Sequence, residues 1–421
     1  MGKISQTFTL TVIIILVIVL IYIIADYLRE KRRRRGERLS NREEKYCNEK
    51  KRVEATNDLI PNIKPHFKVA TDKYNRMITH LSKPIGYTPD QIRKAYGLDK
   101  ISEKGKGQTI AIIDAYSNPN AIEDFKTFDS TFNLGNPGVL TVYSLGKQPS
   151  ESWGLEANLD IQWAHAIAPE ASIILIQAVS ESLGDLSDAI TYALMKGATI
   201  ISMSWGSTEF SQQNFYEKNF SHAIFVASSG DEGGIVNWPS SSLNVISVGG
   251  TSLNLDSNGN YGSEIGWSGS GGGSSVINKI PQWQASYGLK GMRQTPDISC
   301  VADPTTGVAV YDSYGYQGQL GWFRIGGTSL SSPIVAGIFA IANESRVNIG
   351  KTILSNVDLQ NYIYNTLANT QNYSSSFNDV TKGKAGNNSA QVGYDNVTGL
   401  GSFLNISETS GFISNLVNLI P

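Results

Sequence analysis

Between residues 108 and 250 the chain alternates two kinds of segment, and this alternation restricts its fold more than any other feature. QTIAIIDAY (108–116), ASIILIQAV (171–179), ATIISMSW (198–205), HAIFVASS (222–229) and NVISVGG (244–250) are short apolar runs bounded by turn residues. That is the pattern of strands buried on both faces. Glu151–Ile167, Leu183–Lys196 and Ser329–Ser345 carry helical patterns. Strands alternating with helices predict a parallel sheet covered by helices on both faces, an α/β domain. No internal repeat interrupts it, and one domain is expected over residues 84–421. With 40% apolar and 17% charged residues among 421, the composition is that of a globular protein. A net charge of -2 gives no electrostatic case for nucleic-acid binding. Two cysteines, Cys47 and Cys300, exclude a disulfide framework and a Cys-rich zinc site, and both are expected as free thiols.

The N-terminal part reads differently. After a short tail (1–7), residues 8–25 are FTLTVIIILVIVLIYIIA. With its flanks this run approaches the roughly 20 residues that span a bilayer as a helix. It has no polar face, and no small-residue cleavage site follows it, so a retained membrane anchor is expected. REKRRRRGER comes next, and the positive-inside rule then puts the bulk of the chain on the cytoplasmic side. Residues 26–83, charged and weakly periodic, are expected as a juxtamembrane linker.

GGTSLSSP (326–333) presents Ser329 on a small-residue turn before the apolar run SPIVAGIFAIAN, a common mounting for a nucleophilic serine. Its usual proton acceptor is a histidine. The chain has four: His66 and His80 in the expected linker, His222 opening a strand, and His165 within WAHAIAP. Only His165 is a serious candidate, and a core histidine is the plainer reading of it. The carboxylates offer an alternative. Glu156 and Asp160, in SWGLEANLDIQWAHAIAPEA, are spaced i, i+4, so they project from one helix face amid leucines and a tryptophan. Two carboxyls in a dry site share a proton, and such a group can act as a general base. Asp231, in FVASSGDEGG, follows a strand at the sheet edge where ligands of parallel α/β folds bind. A protonated carboxyl there can donate to an oxyanion.

Taken together, GTSLSSP, EANLD with WAHAIAP, and SSGDEG resemble the serine-carboxyl peptidases, the sedolisin family. GYTPDQIRKAYGL, GSEIGWSGSGGGSSV, TPDISCVADPTTGVAVYD and DVTKGKAGNNSAQVGYDNVTGLGS fit the same pattern, so the resemblance runs over about residues 85–403. It implies a subtilisin-like parallel sheet flanked by helices, and a serine-type endopeptidase active on polypeptides at acid pH. By motif it makes Ser329 the nucleophile, Glu156 the general base, Asp160 its orienting partner and Asp231 the oxyanion-hole acid. Asp114 stands where subtilisins keep their triad aspartate, a role that passes here to Asp160. SMSWG makes Ser204 and Gly206 part of a strand edge that pairs with substrate backbone. The loop 379–395 resembles the family's calcium site, with Asp379 and Asp395 giving side-chain oxygens and Val380, Gln391 and Gly393 giving carbonyls to one structural Ca²⁺.

The resemblance also leaves alternatives open: a tripeptidyl-type exopeptidase, or a silent binding protein on the same fold. A monomer is expected. The side of the membrane stays open, because the basic flank argues for the cytoplasm whereas acid chemistry and calcium argue for a lumenal or extracellular domain. Only about 58 residues separate the apolar run from the catalytic start, too few for the folded propeptide typical of the family.

Overall fold

The computed structural model describes residues 61–136 and 139–421. The expected anchor at residues 8–25 lies outside the described residues. So do residues 1–7, residues 26–60 of the expected linker, and Cys47. Among the described residues no helix is long and apolar enough to cross a membrane.

The centre is an eight-stranded sheet. Its strands run in the order Tyr261–Gly266, Ile246–Leu255, Ile224–Ser228, Ile200–Met203, Thr109–Ala115, Ser172–Ala178, Leu140–Ser144, with Ile298–Val301 also on Ile246–Leu255. All pairs are parallel except that of Tyr261–Gly266 with Ile246–Leu255. Each of the five apolar runs in the sequence becomes one of these strands. The α/β expectation holds because buried parallel strands need no alternation of polar and apolar residues.

Two helices position the chemistry. Glu151–Ile167 starts at Ser150, whose hydroxyl accepts from Trp153 N, and every residue from Trp153 to Ile167 is buried. A helix buried on all sides must either be apolar throughout or pair its polar groups inside, and this one carries Glu156, Asp160 and His165 inward. Thr328–Asn348 packs against it and is buried from Thr328 to Asn343. Pro333 lies inside this second helix. Having no N–H, it frees the carbonyl of Ser329 one turn earlier.

Residues 61–83 belong to the compact unit Pro61–Pro421, although their sequence reads as linker. Lys64–Pro65 pairs antiparallel with Trp205–Thr208. Lys68–Val69 and Thr79–His80 both pair antiparallel with Gln319–Gly326. The charge that makes this stretch look like linker is real, but strand pairing uses backbone groups and leaves alternate side chains in solvent. Cys300 is a buried free thiol.

Candidate active site

Ser329 sits in the first turn of its helix and is fully buried. The preceding Gly327 has φ 100°, in the left-handed region, so a side chain there would be strained. It would also lack space: a Cβ would come within 2.2 Å of the His66 carbonyl oxygen and 2.7 Å of Asp231 Oδ2. Glycine therefore lets the backbone turn and leaves room for an oxygen beside Asp231. The Ser329 hydroxyl donates to the carbonyl of Ser204 (3.0 Å), and the Ser329 N–H donates to the carbonyl of His66 (2.9 Å).

Glu156 and Asp160 are completely buried. Neither Glu156 carboxyl oxygen has a partner of full hydrogen-bond geometry, although Ser329 and Asp160 are close enough to act on its charge. Burial raises the Glu156 pKa well above the carboxylate range, and the neighbouring charges of Asp160 and Asp114 raise it further. Asp160 is raised in the same way by burial and by Asp114, against the hydrogen bond from Ser204. The Ser204 hydroxyl donates to Asp160 Oδ1 (2.9 Å), with the Ser329 carbonyl freed by Pro333 at 3.3 Å. Ser204 thus ties the acid pair to the helix that carries Ser329.

Asp114 is the penultimate residue of the strand Thr109–Ala115, and both its oxygens are buried without partners. Burial pushes its pKa up to about 8. The site therefore holds three buried carboxyls whose ionisation burial disfavours, and the charge of Asp114 raises the other two further, since like charges in a dry pocket cannot all ionise. Sequence reasoning found Asp114 but gave it no part in this group.

Asp231 Oδ1 accepts from Thr328 N (2.8 Å) and Thr328 Oγ1 (2.9 Å). Its Oδ2 is buried and unpartnered and, like the His66 carbonyl oxygen, crowds the space beside Gly327. Burial lifts its pKa to about 7, against the Thr328 hydrogen bonds. Below that pH Asp231 is a hydrogen-bond donor aimed beside the Ser329 N–H. Thr328, which orients it, was not picked out from the sequence. A threonine next to the serine was the only signal.

His165 is elsewhere in the core. Its Nε2 pairs with Asp129 Oδ1 at 2.8 Å and its ring packs on Phe125. Burial lowers its pKa despite Asp129. It is a core histidine, as its plainer reading had it.

Ser204 and Gly206 lie on the edge the sequence pointed to, and that edge is paired with the chain's own Lys64–His66: Lys64 opposite Gly206, and His66 N donating to Ser204 O (3.1 Å).

In the loop 379–395, Gly393 N donates to Asp379 (3.2 Å) and Gln391 N to Asp395 Oδ2 (3.1 Å), so one short segment bridges the two carboxylates. The carbonyls of Val380, Gln391 and Gly393 accept no hydrogen bond among the described residues. Carboxylates and carbonyls are the oxygen ligands that Ca²⁺ takes, and here Asp395 also accepts from Val397 N, Thr398 N and Thr398 Oγ1, and Asp379 from the Tyr373 hydroxyl. Among the described residues no group of three or more His, Cys, Asp and Glu side chains is arranged to hold a metal.

The model of the subtilase family (Peptidase S8) matches residues 147–401. Sedolisin from Pseudomonas sp. (strain 101) is 28% identical over 380 residues, covering 78% of this chain and 61% of that protein. Tripeptidyl-peptidase 1 from Dictyostelium discoideum is 28% identical over 364 residues, covering 75% and 56%. The chain thus spans about three-fifths of the length of these curated relatives. Among solved structures, Pseudomonas sedolisin, a serine-carboxyl proteinase complexed with pseudo-iodotyrostatin, superposes with a TM-score of 0.66 at 26% identity, covering 76% of this chain and 96% of that one.

Proposed function

Because the chain belongs to the subtilase family, and within it to the sedolisins, we propose that it is a serine-carboxyl endopeptidase acting on extended polypeptides. One observation carries the reading: Glu156 and Asp160 are the buried groups that act on Ser329, while His165 is tied to Asp129 and the nearby His66 ring is tied to Ser228 Oγ and held neutral by burial, which lowers its pKa to about 3.

In this mechanism the Ser329 hydroxyl turns from the Ser204 carbonyl toward Glu156 and gives up its proton as Oγ adds to the substrate carbonyl. Asp160, held by Ser204, shares the pair's proton and keeps Glu156 oriented. The oxyanion receives hydrogen bonds from Ser329 N–H and from protonated Asp231. A preorganised donor of this kind contributes about 10²–10³ in rate. Glu156 then returns the proton to the leaving amine, and water hydrolyses the acyl-enzyme. Asp231 must stay protonated, so activity falls as pH rises through about 7.

An endopeptidase is favoured over a tripeptidyl exopeptidase by the length of extended chain the cleft holds. Residues 63–66 lie on one side of Ser329 and residues 67–70 on the other, and buried Ile63 is the fourth residue along. A cleft closed after three residues would exclude Ile63. Digestion of an unfolded protein tests this: internal cuts support the reading, and release of tripeptides alone overturns it.

We also propose that Asp379 and Asp395, with the carbonyls of Val380, Gln391 and Gly393, hold one Ca²⁺, whose charge would lock the loop. Residues 8–25 are proposed as a membrane anchor on their sequence alone.

A further inference from the structure

Six positions carry the Asn-x-Ser/Thr pattern that accepts N-linked glycans: Asn219, Asn343, Asn372, Asn387, Asn396 and Asn405. A glycan is bulky and hydrated, so a folded protein carries one only where the asparagine amide and the space beyond it reach solvent. That condition separates the six. Asn343 and Asn405 are buried, the first inside the helix Thr328–Asn348. The side-chain amide of Asn219 donates to Thr191 Oγ1 (2.7 Å), that of Asn372 to the Thr366 carbonyl (2.9 Å) and that of Asn396 to the Thr295 carbonyl (3.0 Å). A sugar on any of these five would cost a hydrogen bond or the packing around it.

Asn387 stands differently. Lys384–Ala385 and Asn388–Ser389 pair antiparallel with Ala385 opposite Asn388, so Gly386 and Asn387 form the two-residue turn between them. Gly386 has φ 56°, the left-handed conformation that such a turn needs. A Cβ on it would collide with the Gly233 carbonyl oxygen, so glycine seats the turn closely on the body. Asn388 Nδ2 donates to the Gly272 carbonyl (3.2 Å) and Ala390 N to the Gly383 carbonyl (3.0 Å), which holds the hairpin in place. Asn387 and Ser389 are both exposed. Among the described residues neither the Asn387 amide nor the Ser389 hydroxyl has a hydrogen-bond partner. A groove of about 500 Å³ beside the turn is lined in part by Asn387, Asn388, Ser389, Lys290, Gln294 and Asn396. Amides, a hydroxyl and an ammonium there can hydrogen-bond the hydroxyls of a sugar.

We propose that Asn387 is an N-glycan acceptor, and hence that residues 61–421 lie on the non-cytoplasmic side of the membrane, where such glycans are added. The donor is an oligosaccharide carried on a lipid pyrophosphate, and a transferase joins the two. Asn387 Nδ2 bonds to the anomeric carbon of the first sugar. The C–O bond to the pyrophosphate breaks, the lipid pyrophosphate leaves with the electron pair, and the amide proton passes to a base of the transferase. Ser389, two residues on, supplies the hydroxyl that completes the acceptor pattern. The proposal is independent of the peptidase reading. It decides between the two sides that the sequence leaves open, and against the basic flank 29–38, since long domains translocate largely regardless of charge.

The test expresses the full chain with Ser329→Ala, which keeps proteolysis out of the measurement, in cells that hold the lipid-linked donor and its transferase. A flexible tail carrying Asn-Gly-Thr, added after Pro421, reports separately whether the body enters the exported side. Intact mass and peptide mapping follow each asparagine, with an amidase that releases N-glycans and leaves aspartate at the acceptor. Asn387 and the tail should both be modified and the other five asparagines bare. The Asn387 glycan should disappear in Asn387→Gln and Ser389→Ala and persist in Ser389→Thr. With Ser329 restored, these surface variants should hydrolyse a peptide at the wild-type rate, which shows that they fold. A modified tail with a bare Asn387, or glycans on Asn219, Asn372 or Asn396 instead, overturns the site and leaves the exported side standing. A bare tail with a bare Asn387 overturns both. A modified Asn387 in a chain that hydrolyses no peptide in any form supports the site and removes only the peptidase reading.

Discussion

Asp114 offers a quantitative test of how dry the carboxyl cluster is. Its pKa rises from 3.8 to about 8, and burial alone causes the shift. A carboxyl whose native pKa is raised favours folding when protonated. Its contribution is complete below about pH 4, where the unfolded chain is protonated too, and is lost as pH rises through about 8. Each pH unit in that window is worth about 1.4 kcal/mol, so the full window is on the order of 5 kcal/mol. Asparagine in its place does not titrate in either state. In a Ser329→Ala background, which keeps proteolysis out of the measurement, Asp114→Asn should gain stability relative to aspartate as pH climbs from 4 to 8. For a unit of this size the gain is roughly 7 °C in melting temperature. Thermal unfolding of both proteins across that range measures it. The difference between them, rather than either curve, is the quantity of interest; removing the Asp114 charge also relieves Glu156 and Asp160, which adds to the difference in the same direction. A flat difference, or one that falls with pH, would mean that Asp114 is solvated or paired and would refute the dry-cluster account.

Two further outcomes follow from the same geometry. Asp231→Asn keeps a donor at every pH, so the loss of activity through about pH 7 should move upward or vanish, whereas Asp231→Ala should lower kcat by about 10²–10³; pH–rate profiles on a peptide substrate separate the two. Stripping calcium with a chelator should lower the melting temperature, and restoring it at 100 times Kd should return about 2.7 kcal/mol. Asp379→Asn should abolish that response, and a chelator-insensitive wild type would remove calcium from the account.

Much of this was legible in the sequence. The strands were, because buried parallel strands are continuous apolar runs, and Glu151–Ile167 has the bounds its pattern predicts. Ser329, Glu156, Asp160 and Asp231 could be found because each sits in a local motif. What could not be read depends on contacts between distant segments. The Pro333–Ser329–Ser204 link joins residues 125 apart, and Thr328 meets Asp231 across 97. Residues 63–70 hid the most. Lys64, Lys68, the polar His66 and Pro65 suggest linker, and only the strand edges of the cleft give them a partner.

The central claim is that a carboxylate, not a histidine, takes the proton of Ser329. The most direct measurement is the pH–rate profile of peptide hydrolysis for wild type, Glu156→Gln and His165→Gln between pH 3 and 8. The account predicts activity favouring acid in wild type and in His165→Gln, with a loss of several orders of magnitude in Glu156→Gln at every pH. Activity near neutral pH that survives Glu156→Gln and disappears in His165→Gln would contradict it.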